Sequence, residues 1–75
     1  MKNTYTYHNV SYTHGEAGKW IFTQGSFTLI QYCTGGREVA DKVARQVSGS
    51  LARTNGEGMD NLGRSRIADL VGSKF

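Results

Sequence analysis

Cys33, His8 and His14 are the side chains best suited to soft-metal ligation or nucleophilic chemistry. A zinc-type site needs several ligands in close pairs. No two of these three have ligand spacing, so no metal site is expected. Cys33 ends a strand-like stretch just before a helix start, where a thiolate would be stabilised. A small buried hydrophobe at a sheet edge explains the same cysteine with less chemistry, and is the preferred reading. Thr34-Gly35-Gly36-Arg37 puts bare backbone amides at a helix start, a ready anion site. It lacks the Gly-Lys-Ser/Thr ending of a nucleotide-binding loop, so a flexible strand-to-helix turn is favoured. Glu16 is the only acid in the strand-rich half, so paired carboxylates for acid–base work are absent there. No catalytic residue, no cofactor and no enzymatic activity are expected.

Binding is the more natural use of these residues. Arg64-Ser65-Arg66, with Arg45, Arg53 and Lys74, makes the C-terminal half the basic half. As a phosphate-contacting face, Arg45, Arg53, Arg64 and Arg66 would serve a nucleic-acid-binding module. With acids interspersed, a solvated helix face is the preferred reading of the same residues. A second candidate surface holds Tyr5, Tyr7, Lys19, Ile21, Ile30 and Tyr32. Aromatics on a sheet stack on unpaired bases, or form a protein-binding patch, where Tyr is enriched. Helices lying over them would make them ordinary core.

These residues need elements to position them. Seven of the eight aromatic residues lie in the first 32 positions, and twelve of the fifteen charged residues lie after position 34. Aromatic, Thr-rich sequence suits a pleated surface, and charged sequence with apolar residues at helical spacing suits amphipathic helices. Strands are expected at about 3–13, 19–24 and 27–33. In the first, Tyr5 and Tyr7 share one parity and Val10 and Tyr12 the other, so a bulge near His8-Asn9 would bring all four to one face. Gly25-Ser26 suits a two-residue hairpin turn. It puts Trp20, Phe22, Phe27, Leu29 and Gln31 on one side and Ile21, Thr28, Ile30 and Tyr32 on the other. So apolar a reverse side calls for cover by a helix, a partner or a second copy.

Helices are expected at about 37–53 and 60–71. Val39, Val43, Val47 and Leu51 recur at i+4, widened by Ala40 and Ala44. Glu38 with Lys42 and Asp41 with Arg45 stand in the favourable i,i+4 order. Asp60 or Asn61 is a candidate cap for the second helix, Met59, Leu62, Ile67, Leu70 and Val71 its apolar positions, and Gly72 its stop.

The stretch Gly18-Lys19-Trp20-Ile21-Phe22, then Leu29-Ile30-Gln31-Tyr32-Cys33-Thr34 leading into Arg37-Glu38-Val39-Ala40, resembles a known layout. It is similar to the sheet-plus-helix DNA-binding domain of plant ethylene-response factors and phage integrase N-termini, over about residues 5–47. Leu29, Tyr32 and Thr34 fall on that family's second-strand pattern, with Tyr for Phe. The resemblance implies a three-stranded sheet with one helix, and DNA reading by Arg and Trp side chains on the exposed sheet face. Lys19 and Trp20 match the motif; no Arg lies on any strand.

The chain has 75 residues, a net charge of +3 and one cysteine. That is one domain over residues 1–75, of modest stability (roughly 4–11 kcal/mol), without an internal disulfide and suited to a reducing, cytoplasmic setting. Neither a signal peptide nor a membrane span is expected. The expected architecture is α+β, a three-stranded antiparallel sheet followed by two helices packed on it. The expected function is a small non-catalytic binding protein docking on a larger macromolecule, of the kind of phage-encoded inhibitors and host-takeover or anti-defence proteins. The partner is expected to be a protein, with nucleic acid the alternative. A homodimer would also bury the surplus sheet face.

Overall fold

The structure, a computed structural model, describes residues 3–33 and 35–71. Thr34, Gly72 and Lys74, each given a role above, lie outside the described residues. The order is β1 Thr4–Tyr7, β2 Val10–His14, β3 Lys19–Gln24, β4 Phe27–Tyr32, α1 Arg37–Arg53 and α2 Asn61–Val71. The strands form one antiparallel sheet in the order β1-β2-β3-β4. The class is α+β as expected, but the sheet has four strands where three were expected.

The difference lies in the first stretch. His8 enters the left-handed region (φ 53°), and His8-Asn9 becomes a two-residue turn closed by the Tyr7–Val10 pair. No bulge is needed to align the tyrosines. The hairpin sets Tyr5 opposite Tyr12 and Tyr7 opposite Val10, and cross-strand partners point to the same face. The expected second hairpin is present. Gln24 pairs with Phe27 around Gly25-Ser26, and Gly25 supplies the positive φ of 57° that a tight turn needs.

One face of the sheet meets α1. Val10, Tyr12, Trp20 and Phe22 pack there against Ala40, Val43, Ala44, Val47 and Leu51 as one apolar core. The aromatics form a ladder, with Tyr12 stacked on Phe22 at 5.8 Å and Tyr5 tilted against Tyr12 at 5.7 Å between ring centroids. α1 ends at Arg53 in a Schellman arrangement. Asn55 is left-handed (φ 57°), Gly56 N–H donates to Leu51 C=O at 2.6 Å, and Asn55 N–H to Ala52 C=O at 3.4 Å.

The expected i,i+4 pairs of α1 do not form. Among the described residues the ion pairs are Arg37–Asp41 and Arg53–Asp60. Asp41 accepts the Tyr12 hydroxyl and turns to Arg37, while Arg45 leans over the Tyr7 ring at 5.4 Å. The sheet tyrosines thus draw Asp41 and Arg45 apart, and Asp41 keeps a helix partner only in Arg37, one turn earlier.

Asp60 caps α2: its Oδ1 accepts from Gly63 N–H at 2.7 Å. α2 buries Ile67 and Val71 but leaves Leu62 50% exposed, against the expectation that Leu62 belongs to its apolar stripe. The reason is where α2 docks. It packs on α1, which itself spans β1, β2 and β3, so among the described residues β4 has no comparable helix above it.

Candidate docking surface

The helix-free side of the sheet is mostly threonine and serine, with one apolar corner. There Lys19 pairs with Tyr32 and Ile21 with Ile30, two adjacent cross-strand pairs on the same face. Ile30 is 53% exposed and Tyr32 58%, while Ile21 and Lys19 are half-buried. Elsewhere on this face Thr4 and Thr13 join hydroxyls at 3.0 Å. Four of the six partner-binding residues expected from sequence therefore form one contiguous patch.

Tyr5 and Tyr7 do not join it. The His8-Asn9 turn puts them on the helix side, half-buried. The Arg37 guanidinium lies 3.9 Å from the Tyr5 ring centre, and Arg45 leans over Tyr7. Each tyrosine is lidded by a helix arginine.

The four arginines expected to bind nucleic acid separate into three places. Arg53 is locked to Asp60, Nε to Oδ2 at 2.5 Å and Nη2 to Oδ1 at 3.1 Å. Arg64 turns towards β4 and donates to Met59 C=O at 3.4 Å. Only Arg45 and Arg66 converge. They line an α1–α2 groove of about 320 Å³ with Lys42, Gln46, Asp69 and Leu70. Lys42 was missed from sequence, although it sits three residues before Arg45 on the same helix side. Gln46 Oε1 is buried in the fold without a hydrogen-bond partner among the described residues.

A larger groove of about 610 Å³ runs between β4 and α2, lined by Phe27, Thr28, Leu29, Gln31, Met59, Arg64 and Ile67. Sequence reading did not anticipate it. Its only signal was that an eleven-residue helix cannot cover both α1 and the sheet edge.

Trp20, which the DNA-binding resemblance implies on the exposed face, is buried under α1 at 2% exposure. His14 stacks on it at 4.7 Å, and its Nε1 has no partner among the described residues. Its alternation with Ile21 decides this: the hairpin register gives Ile21, not Trp20, to the open side. Cys33 is buried, and burial pushes its thiol up to about 11, so it is protonated at neutral pH and no ready nucleophile. Among the described residues no hydrogen bond joins it to either histidine, and no three of His, Cys, Asp and Glu are grouped to hold a metal ion. No described helix is long and apolar enough to cross a membrane.

These features define a small α+β protein with helices on one face of an antiparallel sheet. Comparison with protein-family models, with curated proteins and with solved structures finds no match.

Proposed function

We propose that the chain is a small non-catalytic binding protein that docks on a protein partner through the helix-free corner of its sheet. One observation carries this reading: the Lys19–Tyr32 and Ile21–Ile30 pairs form an apolar patch in which Ile30 and Tyr32 are more than half exposed. Exposed aromatic and aliphatic residues rimmed by a lysine and threonines have the composition of an interface centre with a polar rim. The reading suits an inhibitor or host-takeover type of protein, which acts by occupying a surface.

The test is capture from extracts of the source cell with native mass measurement, at about 50 and 200 mM salt. The expected result is one stoichiometric complex at both salts, lost with Ile30→Lys plus Tyr32→Lys. Loss only when Arg45 and Arg66 are reversed in charge, with the sheet variant unaffected, would overturn it.

One observation favours a second reading. Lys42, Arg45 and Arg66 surround a single groove holding one acid, Asp69, a suitable seat for a nucleic-acid phosphate. That reading predicts binding that weakens steeply with salt and loses strength with Arg66→Glu; no retention on DNA or RNA at low salt eliminates it.

A further inference from the structure

We propose that the free edge of β4 is a strand-addition site for an extended segment of the partner protein. That segment has apolar side chains at alternate positions and a carboxylate that meets Arg64. The proposal rests on the docking reading above and names how the partner engages.

β4 ends the sheet order, so among the described residues one of its edges has no neighbouring strand. In an antiparallel ladder, residues alternate between bonding inward and outward, and a two-residue turn closes on an inward-bonded pair. Gln24–Phe27 is that pair here, so Thr28, Ile30 and Tyr32 direct their N–H and C=O groups to the open edge. An exposed edge with apolar side chains is a template for another strand. β1, the opposite edge, has four residues and shows threonines, Thr4 and Thr6, on the open face.

An added strand would lie about 4.8 Å from β4 and send alternate residues to each face. On the open side they would meet Ile30 and Tyr32. On the helix side they would enter the groove of about 610 Å³, floored by Phe27 and Leu29 and walled by Met59 and Ile67. Both faces of the incoming strand therefore have apolar seats.

Charge selects the occupant. Among the described residues Arg64 is the only ionisable side chain lining this groove, and no carboxylate lies within ion-pair distance of it. A second copy would carry its own Arg64 and another net charge of +3 to the same edge. A carboxylate-bearing segment instead satisfies the guanidinium.

The probe is a displayed library of random peptides of about twelve residues, twice a typical strand. Enriched sequences are synthesised and titrated into isotope-labelled protein. The expected sequences alternate apolar residues and share an acid. They should shift the amides of Thr28 to Tyr32 and the methyl signals of Met59 and Ile67. Arg64→Glu should raise the dissociation constant tenfold or more. Thr28→Pro, which removes an outward N–H and no inward bond, should do the same while circular dichroism stays native. Should Thr28→Pro disturb the fold, Arg64→Glu decides alone. No enrichment, enriched peptides of helical spacing, or self-association of the chain through β4 would overturn the proposal. So would peptides that move Ile21 and Tyr32 but leave Met59 and Ile67 unmoved; the docking reading would then stand without strand addition.

Discussion

Gly63 of α2 rests directly on Ser50 of α1: a Cβ at position 63 would stand 2.8 Å from both the Cβ and the Oγ of Ser50. This contact fixes where α2 lies, and so why β4 is left uncovered. Ser50 is fully buried there. Its hydroxyl donates to Asp60 Oδ1 at 3.1 Å and accepts from Asp60 N–H at 2.8 Å.

Gly63→Ala should therefore destabilise the protein despite the better helix propensity of alanine. Overpacking costs about 1–3 kcal/mol against a propensity gain of ~1 kcal/mol. Urea midpoints are expected to fall, and Gly63→Val to fall further. An unchanged or raised midpoint for Gly63→Ala would contradict the close crossing.

Acid should loosen the α1–α2 junction. The Arg53 guanidinium, then the Gly63 N–H and the Ser50 hydroxyl, hold the Asp60 carboxyl well below the usual carboxylate range. A depressed folded value means the contribution is complete above the unfolded value of about 4 and fades as pH falls below it. Urea midpoints measured from pH 7 to 2 are expected to drop at the acid end. Asp60→Asn should start lower and drop less.

The alkaline limb has two owners. Burial pushes Cys33 from 9.0 up to about 11. Burial, then the hydrogen bond to Asp41, pushes Tyr12 from 10.0 up to about 12. Raised folded values give stability that is complete below the unfolded value and lost as pH rises through the folded one. Stability should decline from about pH 9 to about pH 12. Cys33→Ala should delay its onset, and Tyr12→Phe should remove the upper part.

Trp20 reports which face is open. Buried among Tyr5, Tyr12 and His14, it should emit at short wavelength and resist iodide quenching. Adding duplex DNA should leave its emission unchanged. Ready quenching, or a response to DNA, would restore the sheet as a DNA-reading face.

Much of this architecture was legible in the residues. The Gly25-Ser26 turn set the β3–β4 register, and the i+4 valines set α1. The cap of α2 was legible only as Asp60 or Asn61, two adjacent short acceptors, and the Gly63 N–H settles it on Asp60. The His8-Asn9 turn was not legible, since neither residue is glycine and the positive φ of His8 is rewarded by tertiary packing, such as Tyr5 on Tyr12 and the His8 ring against Tyr7. The sheet patch could be read because strand alternation has a period of two. The dispersal of the arginines could not, because it follows from tertiary partners: Asp60 for Arg53, Tyr7 for Arg45 and the β4 groove for Arg64.

The central claim is that the Lys19–Tyr32 and Ile21–Ile30 corner binds a protein. The most direct measurement is the partner affinity of two folded double variants, Ile30→Lys with Tyr32→Lys and Arg45→Glu with Arg66→Glu. The account predicts a loss of a hundredfold or more for the sheet variant, as for two central interface residues each worth about 1.4 kcal/mol or more. It predicts less than about a threefold change for the arginine variant at 200 mM salt, where exposed charges are screened. Equal binding by the sheet variant, with binding abolished in the arginine variant, would contradict it.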